Sequence, residues 1–382
     1  MQLDADQCAL RDNTDRFIRS RIAPEIARME RERKFDWTLM EELAGFGLIG
    51  ATLPISDGGL GLSYRDFSIL METVGYHWLS LRALLNVANM VAQLLHSHGN
   101  AAQREKYLTP LLSGKIRAFI AITEPDHGSN VHGITARAID CGDHFKVSGR
   151  KLWITNGTGD FGLLLCRVPD APNRKGGLAT LILDPKITKY DVSRVHTMIL
   201  HATETTELAF EDAMVPKECL LGEVGSGLHN ILTTLSHGRL SVASGAVGAA
   251  QCALDLAVDY ARTRTQFGRP IGCQQLIQQL ITDMAALTRS ARWLCYDAAT
   301  LLDQGGHARI ETSLAKRQAT EWAHQVASMA LQVHGGMGYS EELPIERIFR
   351  DTRGGTIPEG TTQIQTLIIG REILGLDAFN PA

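Results

Sequence analysis

The chain has 382 residues, 44% of them hydrophobic and 21% charged, with a formal net charge of -4. That is an ordinary globular composition with apolar material for about two or three domains. The faint acidity excludes the basic footprint of a nucleic-acid binder, and no apolar run reads as long enough for a membrane span. The polar start Met1-Gln2-Leu3-Asp4 lacks a signal-peptide pattern. The seven cysteines (Cys8, Cys141, Cys166, Cys219, Cys252, Cys273, Cys295) are scattered and form no C-x-x-C pair. They predict reduced thiols, a cytoplasmic protein and no metal site.

Residues 1–117 predict a helical region. Leu10, Phe17, Ile18 and Ile22 recur at helical spacing, as do Leu39, Leu43, Phe46 and Leu48. Gly58-Gly59-Leu60-Gly61 breaks the pattern with a turn, and helical periodicity resumes from Tyr64 to Leu112. Over 118–225 short β-branched and apolar runs are split by Gly, Asp, Asn and Pro, as in Gly162-Leu163-Leu164-Leu165-Cys166 and Ala179-Thr180-Leu181-Ile182-Leu183. Such spacing predicts short antiparallel strands in a barrel or sandwich. Over 226–382 long helical periods return: Ala246–Thr263, Gln275–Leu302, Glu311–Val333 and Ile364–Leu374.

Neither Gly58-Gly59-Leu60-Gly61 nor Gly222-Glu223-Val224-Gly225-Ser226-Gly227 has the strand, helix and downstream acid of a dinucleotide fingerprint. The second reads as a helix entry capped near Ser226. There is no P-loop, zinc motif or nucleophile elbow. The run Thr356-Ile357-Pro358-Glu359-Gly360-Thr361-Thr362-Gln363 is more pointed. Gly360 lets the backbone approach a ligand, the hydroxyls and free N–H groups of the following helix suit a phosphate, and Glu359 beside them is placed to act as a base. A capped helix start on a surface loop explains the same residues without any function.

Four further segments decide how that run is read. They are Ala121-Ile122-Thr123-Glu124-Pro125-Asp126-His127-Gly128-Ser129-Asn130, Lys151-Leu152-Trp153-Ile154-Thr155-Asn156-Gly157, Arg262-Thr263-Arg264-Thr265-Gln266-Phe267-Gly268-Arg269, and Gln332-Val333-His334-Gly335-Gly336-Met337-Gly338. In this order, across essentially the whole chain, they resemble the acyl-CoA dehydrogenase family. The resemblance implies a mainly α fold with a β domain: an N-terminal helical domain, a middle β-barrel and a C-terminal four-helix bundle. It also implies FAD between barrel and bundle, an acyl thioester as substrate, electron-transfer flavoprotein as acceptor, and a homotetramer or homodimer.

On the resemblance, Glu359 is the base that takes the substrate α-proton, with Ser129, Arg239 and Gly360 on the substrate side. Thr123, Ser129, Trp153 and Thr155 hold the flavin end of FAD. Arg264, Phe267, Gln332, Gly335 and Gly336 reach a cofactor bound largely by a neighbouring subunit, and Thr361 and Gln363 contact its pyrophosphate and adenine side. Physical reasons stand beside this. Hydroxyls donate to a flavin edge, an indole face packs on a ring, and residues two apart on a strand, such as Trp153 and Thr155, share a side. Without the resemblance, Trp153 reads as barrel core and Arg264 as a surface ion pair.

Some positions depart from the family. Gly238 stands before Arg239 where a minority of members carry the base, which leaves Glu359 as the candidate. Pro358 replaces a large residue, Ser236 an Asp, His201 an Arg, and Gln266 a hydroxyl. Arg82 sits in the otherwise apolar run Ser80-Leu81-Arg82-Ala83-Leu84-Leu85, where an unpaired charge is costly. Glutaryl-CoA dehydrogenases and the carrier-protein dehydrogenases of polyketide pathways have a similar Arg. Arg82 therefore points to a carboxylated or polar acyl group, or else pairs with a core acid or faces solvent. An acyl-carrier-protein dehydrogenase and a flavin monooxygenase or oxidase on the same fold are the alternatives.

Overall fold

A computed structural model describes residues 3–171 and 175–378. The chain opens with α1 (Ala5–Arg21), α2 (Ile26–Glu32), α3 (Met40–Gly45), α4 (Tyr64–His77), α5 (Leu79–His98), α6 (Ala101–Gln103) and α7 (Thr109–Leu112). The strands follow: β1 (Ala118–Ala121), β2 (Arg137–Asp140), β3 (His144–Thr155), β4 (Phe161–Val168), β5 (Gly177–Leu183), β6 (Asp191–Arg194), β7 (Thr205–Pro216) and β8 (Leu220–Leu221). Then come α8 (Gly227–Thr263), the hairpin β9 (Thr265–Gln266) and β10 (Arg269–Pro270), α9 (Gln275–Asp303), α10 (Arg309–His334), α11 (Ile345–Gly354) and α12 (Thr362–Leu374). The helical, β, helical order agrees with the sequence reading.

Three details differ from it. The sheet is mixed rather than antiparallel: its order is β6-β7-β3-β2-β4-β5-β8, with β1 paired in parallel to β4. Parallel pairing needs no hairpin signal, so alternation and turns could not reveal it. Next, α8 starts at the predicted helix entry, Gly227, but runs 37 residues unbroken, well beyond the Ala246–Thr263 period read from the sequence. Its length and hydropathy match a membrane span, although 67% of the apolar window is buried inside the protein, as in a core helix. Finally, α11 went unpredicted, because its charged sequence is held by tertiary contacts. Its buried Asp351 accepts the Leu200 N–H at 2.7 Å across domains.

Local chemistry fixes the elements that carry the site. Ser63 caps α4 by accepting the Asp66 N–H, and Trp78 in extended conformation separates α4 from α5. α5 is buried almost all round, so Arg82, Asn86 and Met90, one turn apart each, share an interior face. α4 crosses α8 with backbone nearly touching backbone. A Cβ on Gly75 would lie 2.3 Å from the Gly245 carbonyl, and one on Gly248 only 1.9 Å from that of Glu72. Glycine is required there, and the close crossing brings α5 and its Arg82 against α8. One apolar core runs through all three regions, from Phe35 and Trp78 through Phe119 and Phe161 to Val247 and Val326.

Candidate active site

Glu359 lies in the turn between α11 and α12. Both it (φ 57°) and Gly360 (φ 88°) adopt the left-handed conformation, which is uncommon for a glutamate. Their carbonyls turn inward. The Gln365 side-chain N–H donates to Glu359 O at 2.9 Å and Gly360 O at 3.1 Å, and Lys316 Nζ donates to Gly360 O at 2.8 Å. This geometry swings the Glu359 side chain away from solvent toward α5 and α8. Its Oε1 accepts from Asn86 Nδ2 at 3.1 Å. A Cβ on Gly238 would sit 2.9 Å from its Oε2, so the bare backbone of α8 makes room for the carboxylate. Burial pushes the Glu359 carboxyl up, and the charges of Arg239 and Arg82, the Asn86 hydrogen bond and the charge of Lys316 oppose it.

Arg82 neither faces solvent nor pairs with an acid. It is 6% exposed, its Nε has no partner, and its side chain makes no hydrogen bond or ion pair among the described residues. Gly245 leaves room for its stem, since a Cβ there would lie 2.8 Å from Arg82 Cγ. Burial draws its pKa down to about 10, against the opposing pull of Glu359 and then Asp351. Arg239 is also buried, its Nε is likewise unpartnered, and burial takes it to about 10. Two guanidiniums with unsatisfied donors therefore face one carboxylate in a space lined by glycines.

The strand residues form a second group. The Leu152 N–H donates to Thr123 O at 2.9 Å, which places the Thr123 loop beside the end of β3. Trp153 is 57% exposed, which overturns the barrel-core reading. It has φ 64° at a register shift between Lys151 and Ile154, so simple alternation breaks there. Ile154 is nevertheless buried, and Trp153 and Thr155 both stand on the more open side. Ser129 is exposed on the loop that follows β1.

The remaining predicted residues lie elsewhere. Phe267, 94% exposed, and Gly268 form a two-residue left-handed hairpin turn at the far end of α8. Arg264 beside it is exposed and makes no ion pair among the described residues. Gln332, Gly335 and Gly336 are exposed at the end of α10, and the ring of Tyr260 lies 4.5 Å from that of His334, so both helices end together. Gly238 and Lys316, which touch the Glu359 turn, are some 20 residues back along these helices, roughly 30 Å away. Within one chain this group does not meet Glu359. Thr361 is a true helix cap whose hydroxyl accepts the Ile364 N–H, so the bland reading of that turn holds alongside the functional one. Gln363 is exposed on α12.

Of the family departures, Pro358 is exposed, and His201 is engaged at the junction of three regions. It lies 3.2 Å from Arg350 Nη1 and 3.9 Å from Glu30. Ser226 stands at the cap position just before α8 as expected, yet its hydroxyl donates to Glu223 O rather than capping the helix.

Several residues escaped the sequence reading. Asn86 and Gln365 are two. Lys316, fully buried, is a third. Its signal was its place on a helical stripe of small residues with Thr312, Ala319, Thr320 and Ala323, where a surface lysine has no business. Another is the buried Lys151–Glu124 pair at 2.9 Å. Glu124 also accepts from Thr135 N, Thr135 Oγ1 and Ala136 N. Burial would raise its pKa, but these bonds win and hold it at about 2. The pair pins the Thr123 loop to β3.

Comparison with known proteins agrees with this geometry. The N-terminal, middle and C-terminal domain models of acyl-CoA dehydrogenases match residues 4–115, 119–213 and 225–374. The CarC subunit of a caffeyl-CoA reductase–Etf complex from Acetobacterium woodii is 36% identical, over 95% of this chain and 96% of that protein. An acyl-CoA dehydrogenase from Bacillus subtilis is 34% identical, over 98% of this chain and 100% of its own. The solved glutaryl-coenzyme A dehydrogenase in complex with glutaryl-CoA superposes with a TM-score of 0.93 at 31% identity, covering 98% of this chain and 96% of that one. The chain belongs to the acyl-CoA dehydrogenase family, FAD-dependent oxidoreductases that act on the CH–CH bond of acyl-CoA thioesters.

Proposed function

We propose that this protein catalyses α,β-dehydrogenation of an acyl-CoA thioester, that Glu359 removes the α-proton, and that Arg82 recognises a carboxylate or other polar group on the acyl chain. The carrying observation is the half-buried Glu359, whose carboxylate turns onto an interior face with Arg82, Asn86 and Arg239. A thioester α-proton is weakly acidic, so a base with a raised pKa is matched to the task. Asn86 occupies Oε1, which leaves Oε2, facing the bare backbone of Gly238, to receive the proton. Arg239 and Arg82 oppose the rise that burial imposes on the pKa of this carboxyl.

FAD, when bound, supplies the acceptor for the β-hydrogen as hydride. Thr123, Ser129, Trp153 and Thr155 would hold its flavin end, and Thr361 and Gln363 its pyrophosphate and adenine side. Its fit is supported by the exposed Trp153 face and by open backbone. A Cβ on Gly335 would meet nothing within 4 Å, and one on Gly336 or Gly128 only a single atom at 3.9 or 4.0 Å. Arg264, Phe267, Gln332, Gly335 and Gly336, remote from Glu359 in their own chain, would serve the cofactor of a second subunit in a homotetramer or homodimer. We place the domain boundaries at 117/118 and 225/226, the protein in the cytoplasm, and an electron-transfer flavoprotein as acceptor, as the name of the Acetobacterium relative supports.

A carrier-protein thioester is the second reading. It is favoured by Ser236 in place of an Asp and by His201 being taken up by Arg350 and Glu30 rather than free for CoA. The test is anaerobic flavin bleaching by glutaryl, butyryl and octanoyl thioesters of CoA and of carrier protein. Glu359→Gln is expected to keep FAD and lose bleaching, and a variant with near-normal turnover removes Glu359 from the mechanism. Rapid reoxidation of the reduced enzyme in air would favour an oxidase instead.

A further inference from the structure

We infer that Lys316 is a positioning residue for the base: with Gln365 it clamps the left-handed turn that aims Glu359, and its ammonium charge favours the ionised form of that carboxylate. The inference rests on the reading of Glu359 as the base. Four observations carry it. Lys316 is 0% exposed, the rarest setting for a lysine, and among the described residues its ammonium makes one hydrogen bond, to Gly360 O at 2.8 Å. Gly360 O is shared with Gln365 Nε2, which also holds Glu359 O, so two side chains from α10 and α12 grip two successive carbonyls. Both residues of the gripped turn have positive φ, and a Cβ on Gly360 would lie 2.5 Å from Gln365 Nε2. Finally, Lys316 makes no ion pair among the described residues, so its charge is not spent on a neighbouring acid.

A glutamate held in this conformation is strained, and it persists only where its surroundings over-determine it. A neutral donor would satisfy the Gly360 carbonyl. A buried ammonium adds a charge-assisted hydrogen bond and a field across the turn. The charged groups acting most strongly on Glu359 are Arg239 from α8, Arg82 from α5 and Lys316 from α10. Around Lys316 itself stand Glu359 and Glu321, which favour its charge, and Arg239 and Arg82, which oppose it. Burial dominates and draws it to about 8, so it remains an ammonium at neutral pH.

The test uses Lys316→Met, Lys316→Arg and the holoenzyme. The titration of Glu359 is read by infrared difference spectroscopy against Glu359→Gln, which needs no turnover. Lys316→Met is expected to move the Glu359 midpoint and the acid limb of kcat/KM to higher pH. It should also lower kcat by about 10- to 100-fold, with KM little changed. Lys316→Arg should restore the midpoint. A Lys316→Met protein that titrates and turns over like the parent overturns the inference. Should Lys316→Met fail to fold, Gln365→Leu tests the same clamp. It should lower kcat about tenfold without moving the midpoint, and an unchanged kcat overturns the clamp. If Glu359→Gln itself turns over normally, the base reading fails separately, and the infrared midpoint still decides whether Lys316 acts on that carboxyl.

Discussion

Replacing Arg82 by Met should make the protein more stable and less selective at once. A guanidinium whose pKa burial draws down from its ordinary value to about 10 has its charged form disfavoured by roughly 3 kcal/mol. Because the folded pKa is the lower one, this cost is in force at every pH below about 10 and is relieved only as pH rises above that toward the ordinary arginine value. Met fills much of the same volume without the charge. Allowing for imperfect packing against Gly245, a gain of about 1–3 kcal/mol is expected. For a chain of 382 residues that is a rise in Tm of roughly 1–4 °C. On a carboxylated acyl thioester the same change removes a buried charge-assisted contact, about 2–4 kcal/mol or roughly 30- to 1,000-fold in kcat/KM, while butyryl thioester should be little affected. Calorimetry and steady-state kinetics on the two thioesters read both effects. A variant with lower Tm and unchanged preference would show that Arg82 is a structural cation, and the substrate argument would be withdrawn.

Two further outcomes follow from the same geometry. Gly238→Ala puts a methyl 2.9 Å from both Glu359 Oε2 and Met90 Sδ. Both are tips of flexible side chains, so stability should change by less than about 1 kcal/mol while kcat drops about tenfold, as kinetics and thermal melts would reveal. Glu124→Gln leaves Lys151 buried beside a neutral partner and should cost about 3–5 kcal/mol in denaturant titrations at pH 7. Since the Glu124 pKa is depressed to about 2, its contribution is present above its ordinary 4.5 and fades as pH falls toward 2. The variant should therefore lose the acid dependence across that window, and a parallel pH–stability curve would refute the assignment.

The sequence was most readable where one element answers to its own pattern. The apolar periods of α4 and α5, the short strands between Gly and Asp, and the Thr361 cap could all be read locally. It was least readable where distant segments cooperate. The first half of α8 carries His229, Asn230, Thr233, Thr234 and His237, a polar texture that marks no apolar face, although this half of the helix packs on α4 and α5. The sequence reading assigns no helical period to α11, whose Asp351 is held by the Leu200 N–H from far away in the chain. Arg82 could be flagged because a lone charge interrupts an apolar run. Lys316 and Asn86 could not be assigned a role, because that role depends on a carboxylate 43 and 273 residues away in sequence. The register shift that exposes Trp153 also depends on its pairing with β7, which no single-strand pattern contains.

The charge balance of the site joins these parts. Three buried cations, Arg82, Arg239 and Lys316, act on one carboxylate, Glu359, with Asp351 acting on Arg82 from the far side. Such an excess of positive charge is unfavourable in an interior unless something anionic completes it. An acyl group ending in a carboxylate would do so at Arg82. It would also withdraw from Glu359 part of the field that keeps its pKa down, while excluding the water that solvates it. The base would then be strongest when a substrate of the right charge is seated beside it. A neutral acyl group would leave Arg82 uncompensated and Glu359 the weaker base, so discrimination should appear in kcat as well as in KM.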